Sequence, residues 1–280
     1  MAASPFASSR PPQAPVGECA EPEAGPAPIR ALGAWTVGFF VTMAEVLMWT
    51  YGALVVGPWL MRRAGLRVVL GTTIEQVRFT GAQALPLVAL AALALGTLVF
   101  TQANAYVPVD YIPKVAATLL AREVVPLVVG IVIVGRSGTA IAVQLASMRL
   151  DGEVKALVSM GMILEHVVVL PRLLGAVVSA ALLGAWGLAV GLVLGYGVSD
   201  LVEPLPFRLA LVLRAVAPGD VLLLLLKCVL FGAGAAVVAV REGLQVRTSS
   251  VELPRAATNS AVRGVGLCMV LNVVLSLLAA

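Results

Sequence analysis

The sequence predicts an all-α, polytopic membrane protein, and three observations carry that reading. Of its 280 residues, 60% are hydrophobic and 12% charged, against roughly 25% charged in soluble domains. Mean hydropathy is +1.01. The apolar residues gather into runs of about 20, the length that crosses a bilayer as a helix. The basic residues fall between those runs in an asymmetric way, so the excess of 19 Lys+Arg over 15 Asp+Glu is read as membrane sidedness and not as a nucleic-acid surface.

Residues 1–30 hold seven of the 17 prolines (Pro5, Pro11, Pro12, Pro15, Pro22, Pro26, Pro28). Such a tail buries too little apolar surface to offset its ordering entropy, and disorder is expected. It carries no apolar h-region of a signal peptide, so the membrane segments are expected to direct insertion. Residues 31–68 form an apolar, aromatic stretch (Trp35, Phe39, Phe40, Trp49, Tyr51, Trp59) closed by Arg62, Arg63 and Arg67. Its length permits a crossing, while its tryptophans favour a helix lying in one leaflet.

The remainder, 69–280, reads as five spans. Ala84 to Tyr106 is the cleanest, and its last turns become polar at Thr101, Gln102 and Asn104. The second span cannot lie wholly between Glu123 and Arg136, because the 12 uncharged residues there are too few. It runs from about Lys114 to Gly135, which places Arg122 and Glu123 inside the membrane. Charges there cost at least ~2.5–3.5 kcal/mol each, so they face a partner or a water-filled cavity. Pro126 adds a second polar group, since it has no N–H to donate to the Arg122 carbonyl four residues earlier. Two functions fit: a polar site in a pocket, or a charged pair stapling helices together.

A Gly/Ser-rich turn at Gly135 to Gly138 is expected next, then a charged helix over Arg149 to Glu165 with Val154, Leu157, Val158 and Met162 on one apolar face. Leu173 to Val198 is the third span, with Gly187, Gly191 and Gly195 in a small-residue stripe that permits close helix approach and suggests dimerisation. Asp200 to Asp220 is read as a water-exposed loop. Val221 to Val240 spans again with Lys227 inside it. Arg241 to Arg263 is a basic connector, and Gly264 to Ala280 completes the chain with Asn272 in its apolar run. Fourteen of the nineteen Lys and Arg fall in the N-terminal region, the 136–172 segment and the 241–263 segment. The positive-inside rule puts these in the cytoplasm and the C-terminus on the opposite side.

Several chemistries are absent from the sequence. No G-x-x-x-x-G-K-[ST] occurs, and Gly135-Arg136-Ser137-Gly138 has no phosphate-binding lysine. The single histidine, His166, and three cysteines without a CxxC pair point away from metal and triad chemistry. No cofactor is expected on this chain.

An ordered series of landmarks does resemble a family. Arg122-Glu123 with Pro126, Gly135-Arg136-Ser137-Gly138-Thr139-Ala140, Met148-Arg149, Met160-Gly161, Pro171-Arg172, Lys227, and Ala256-Ala257-Thr258 with Ala261-Val262 resemble the MlaE/YrbE-type permeases of ABC transporters associated with MCE proteins. The likeness covers about residues 70–280. It implies a homodimeric inner-membrane permease with five spans, an N-terminal interfacial helix and a cytosolic coupling helix. Two copies of an ABC ATPase would bind ATP and drive it, and an MCE-domain protein would carry phospholipid or another hydrophobic molecule across the periplasm.

By that resemblance, Arg122, Glu123, Gln102, Asn104, Lys227 and Asn272 are candidates for the lipid pocket between protomers. Arg149, Asp151, Glu153, Lys155, Met160 and Gly161 are candidates for ATPase coupling. The chain departs from the family pattern at Val125, often Gly, at Met162-Ile163-Leu164, where Asp-Pro follows Met-Gly, and at Thr248 to Leu253. From the residues alone, an ion-coupled secondary transporter relaying through Arg122, Glu123 and Lys227, or a membrane scaffold, remain alternatives.

Overall fold

A computed structural model describes residues 66–108, 111–161, 168–199, 214–246 and 252–279. The expected tail at 1–30 and leaflet helix at 31–68 lie outside these, apart from 66–68, as do Met162-Ile163-Leu164 and His166. Every described element is a helix. Helix α1 (Leu66–Thr80) passes through a single 3-10 turn, Ala82–Ala84, into α2 (Leu85–Tyr106), whose start is fixed by Pro86 in its first turn. Helix α3 is the 39-residue Ile112–Leu150. A tight turn at Asp151 and Gly152 leads to the short α4 (Glu153–Ser159), followed by α5 (Leu170–Ser199), α6 (Pro218–Gln245) and α7 (Glu252–Leu278). Among the described residues five helical stretches are long and apolar enough to cross a membrane: Thr73–Tyr106, Ile112–Leu150, Leu170–Gly197, Pro218–Gln245 and Glu252–Leu278.

Lipid tails are as apolar as leucine, so these helices gain little from hiding apolar surface from lipid. Close packing must hold them together instead. Helix α6 is built for that role. Its stretch Phe231-Gly232-Ala233-Gly234-Ala235-Ala236 is wholly buried and lies among α3, α5 and α7. A β-carbon on Gly232 would sit 2.7 Å from the Ala180 methyl of α5, and one on Gly243 would sit 2.7 Å from the Ala142 carbonyl of α3.

The stripe of Gly187, Gly191 and Gly195 on α5 is used in the same way. A β-carbon on Gly96 of α2 would come within 2.6 Å of the Gly191 carbonyl, and one on Gly195 within 2.8 Å of Gly96 backbone. The suggestion that this stripe joins two protomers is therefore corrected, because α2 of the same chain already occupies it. Phe100 of α2 and Tyr196 of α5 close the contact, with ring centroids 4.9 Å apart.

Three further expectations are corrected. Gly135 to Gly138 is no turn: the backbone stays helical there, as a π turn over Ile133–Gly138. Residues without large side chains let that turn pass close to α6 and α7, and Gly138 faces Ser260 and Ala235. The basic connector at 241–263 shrinks, because α6 continues to Gln245 and α7 starts at Glu252. An ion pair from Arg263 to the buried Glu242 joins those two extensions. Asp220, finally, is not on an exposed loop. It lies in the first turn of α6 and is 4% exposed.

A candidate transport site and a surface helix

Along α3 the regular helical ladder is interrupted twice, and the first interruption holds Arg122 and Glu123. Leu120–Val124 is a π turn in which the Val125 N–H reaches back to the Leu120 carbonyl. Adjacent residues on a helix point about 100° apart, so the two charges address different neighbours. Arg122 Nε donates to Asp220 Oδ1 of α6 at 2.7 Å, and Thr118 Oγ1 donates to Asp220 Oδ2 at 3.4 Å. Glu123 turns toward α7, where Asn272 Nδ2 donates to its Oε2 at 2.7 Å and Ser276 Oγ donates to its Oε1 at 2.5 Å.

Lys227 lies between these two arms and is completely buried. Its Nζ donates to Ser276 Oγ at 2.7 Å, to Glu123 Oε1 at 3.2 Å and to the Arg122 carbonyl at 2.5 Å. The last is the carbonyl that Pro126 cannot satisfy, so a side chain 105 residues away makes the bond that the local sequence lacks. All three donor positions of the ammonium thus have partners. The cluster holds two cations and two anions, and this neutrality, with a hydrogen bond to every charged group, is what makes such a group tolerable at membrane depth; Asn272 Oδ1 is buried beside it without a hydrogen-bond partner. At 1.5 Å per residue, Arg122 lies roughly 15 Å along α3 from its start at Ile112. The site stays open on one side, with the Arg122 side chain 42% and the Glu123 side chain 33% exposed.

Of the six pocket candidates, the structure brings together Arg122, Glu123, Lys227 and Asn272. Gln102 and Asn104 stand apart on exposed positions of α2. The reason is helical phase: Ala92, Gly96, Phe100 and Ala103 are the buried face of α2, and Gln102 and Asn104 flank it. Sequence reasoning missed Asp220, Ser276 and Thr118. Pro218 followed by an acidic residue is a helix-start signal that would have moved Asp220 into α6. Asp220 to Lys227 is then two turns, and Asn272 to Ser276 is one, so each pair shares a face.

At the opposite end of the bundle, α4 is bracketed by two glycines in the left-handed region, Gly152 (φ 79°) and Gly161 (φ 75°). Within the described residues the surface helix is Glu153–Ser159, and positions 162–165 of the expected Arg149 to Glu165 lie outside them. Arg149 belongs to the last turn of α3, and Asp151 forms the turn through its N–H to the Ser147 carbonyl at 2.9 Å. Its expected single apolar face is divided as well. Leu157 packs beside Met148 on a buried cluster of Ile141, Ala142, Leu145, Val168 and Ala239, whereas Val158 and Met160 are 58% and 64% exposed. Glu153, Lys155, Val158 and Met160 consequently form an outward surface of mixed charge and apolar character. A groove of about 930 Å³ runs beside it, lined by Gln76, Phe79, Gln144, Met148, Leu157 and Arg172 among others. Near its wall Arg136 hydrogen-bonds Gln83 and lies 5.8 Å from the Phe79 ring centroid.

The chain is similar in sequence to known proteins. A probable ABC transporter permease protein of Rickettsia prowazekii is 26% identical over 209 residues, covering 72% of this chain and 81% of the relative. A probable ABC transporter permease protein of Rickettsia felis is 27% identical over 209 residues with the same coverage. The intermembrane phospholipid transport system permease protein MlaE of Haemophilus influenzae is 25% identical over 169 residues, 59% of this chain and 62% of that one. Residues 73–278 match the family described as Permease MlaE. That match begins with the first apolar span and ends with the last, and it takes in the whole charged cluster and α4. This multi-pass membrane protein therefore belongs to the MlaE permease family of ABC transporters.

Proposed function

We propose that the chain is the transmembrane subunit of an ATP-driven transporter that moves phospholipid, or a lipid of similar shape, between the inner membrane and an MCE-domain protein in the periplasm. The observation that carries this reading is the family match across all five spans. The phospholipid assignment is supported by the relative from Haemophilus influenzae, whose name states that activity. ATP is bound and hydrolysed by two copies of a partner ATPase, and this chain binds no cofactor of its own.

In this reading two copies of the chain face each other across a lipid pocket lined by their first and last spans. Those spans are the ones least buried within a single chain, each with 28% of its most apolar window covered. Leu90 and Leu98 on the first and Met269, Val273 and Leu277 on the last are all more than half exposed. Arg122 and Glu123 stand at the edge of this pocket, within reach of a headgroup. The bundle end that carries α4, Arg136, Arg149, Arg172, Arg241 and Arg263 is cytoplasmic, as its positive charge favours. The N-terminus is cytoplasmic and the C-terminus periplasmic.

Coupling runs through α4. Its exposed Val158 and Met160 offer apolar contact to the ATPase, and Glu153 and Lys155 set the register. Arg149, Asp151 and Gly161 hold the two ends of the helix in place. Glu153→Lys should weaken recovery of the ATPase in a pull-down by roughly tenfold, the effect of about 1.4 kcal/mol, while leaving membrane insertion intact. Unchanged recovery would remove α4 from the interface.

The function itself is tested by expressing the chain with its genomic neighbours and reconstituting the purified complex in liposomes. ATP-dependent transfer of a labelled phospholipid to or from an MCE protein is the expected result. Transfer that persists without nucleotide and collapses with the ion gradient would favour a secondary transporter. A complex that holds no ATPase and moves no lipid would favour a scaffold.

A further inference from the structure

Helix α3 is the one described span whose course is broken by π turns, at Leu120–Val124 and again at Ile133–Gly138. Such turns, like a proline, leave the backbone ladder incomplete and are where long helices bend. At the first of them both occur together, since Pro126 follows one residue after the π turn. The outer section Ile112–Leu119 is therefore joined to the rest of α3 by a stretch with fewer backbone bonds of its own. The bond at the Arg122 carbonyl comes from Lys227 of α6, at 2.5 Å. The same ammonium holds Ser276 of α7 and Glu123.

We propose that Leu120–Pro126 is a hinge in α3 and that Lys227 is the latch that holds it closed. One buried ammonium then fixes three things at once: the angle between the two sections of α3, the position of the last turns of α7, and the mouth between them. The Thr118–Asp220 bond ties the outer section of α3 to the first turn of α6, and Arg122, within the hinge itself, bonds the same carboxylate. When Lys227 releases, that outer section and the start of α6 move as one body. The inner section stays in place, because it packs closely on α6 and α7: a β-carbon on Gly130 would come within 2.9 Å of the Phe231 ring, with Cys268 in contact at 3.5 Å. This is a hinge in the ordinary sense, a few residues absorbing a change in direction between two packed bodies. It depends on backbone and side-chain geometry and not on what is transported.

The device makes a specific link between Pro126 and Lys227. An alanine at 126 regains an N–H that can bond the Arg122 carbonyl, which makes the latch redundant. The test uses the full-length chain in lipid nanodiscs, with Cys19, Cys228 and Cys268 replaced by alanine and spin labels at Val115 and Gln144, exposed positions on either side of the hinge. With the labelled chain diluted in an excess of unlabelled chain, so that only distances within one copy are read, double electron–electron resonance should give one narrow distance of about 43 Å in the parent, from 29 residues at 1.5 Å each. Lys227→Met should add a second, shorter population, and Lys227→Met with Pro126→Ala should return to the single distance. A Lys227→Met distribution identical to the parent would overturn the proposal, as would a double variant that stays bimodal. Should Lys227→Met not insert, Pro126→Ala alone decides. A distribution narrower than the parent's supports the hinge, and one that is unchanged or broader overturns it.

Discussion

Glu123→Ala should lower the stability of the purified protein by about 3 kcal/mol and abolish most lipid transfer. The stability figure is that for breaking a buried ion pair by removing one partner, because the remaining charge is left uncompensated. It is taken at the lower end of the range because the Glu123 side chain is one-third exposed while Lys227 is fully buried. Asn272 and Ser276 lose their acceptor in the same step. The measurement is the apparent melting temperature in detergent, with transfer assayed in liposomes. Glu123→Ala combined with Lys227→Met should recover most of the stability, since no lone charge remains, but not the transfer. If the double variant also recovered transfer, the cluster would be a structural staple and nothing more. If the single variant were as stable as the parent, the pair would not be compensating a buried charge at all.

The second large effect concerns close packing. Gly96→Ala should destabilise by about 1–3 kcal/mol and reduce the amount of protein recovered from the membrane. Its β-carbon would meet the Gly191 carbonyl at 2.6 Å and the Gly191 α-carbon at 3.1 Å, and backbone on the far side cannot turn away as a side chain can. Gly71→Ala serves as the internal contrast. Nothing lies within 4 Å of a β-carbon there, and in an exposed helix interior alanine is favoured over glycine by about 0.5–1 kcal/mol. The two variants should therefore shift the melting temperature in opposite directions. Equal shifts would mean that α2 and α5 are not in the tight contact described.

The sequence made the spans legible because each is a long apolar run, and a run of that kind has no alternative structure in lipid. It also made the Arg122 carbonyl legible as an orphan, since the missing N–H is a property of Pro126 alone. Which group would satisfy that carbonyl was not legible. Lys227 is 105 residues away, and only the packing of α3 on α6 brings it there.

Helix ends are obscured in the sequence for a related reason. Arg241, Glu242 and Arg263 look like loop residues because they are charged, but Glu242 and Arg263 neutralise each other across α6 and α7, so the helices continue. The glycine stripe of α5 marks a contact surface by its spacing, while its partner carries no such mark, because Gly96 is a single glycine in an otherwise ordinary run. For α4, periodicity gave the existence of the helix. The division between Leu157 inward and Val158 and Met160 outward depends on where α3 leaves off, which periodicity does not fix.

The charged cluster also bears on how the chain is made. Its members are synthesised in a fixed order: Glu123 with the second span, Lys227 with the fourth, and Asn272 and Ser276 with the last. A lysine entering the bilayer alone costs about 2.5–3.5 kcal/mol on the insertion scale. Here the ammonium leaves the translocation machinery when a carboxylate and an unsatisfied carbonyl are already in the membrane to receive it. The fifth span then supplies the remaining hydrogen bonds and seals the site, so the order of the genetic message is also the order in which the charges find shelter.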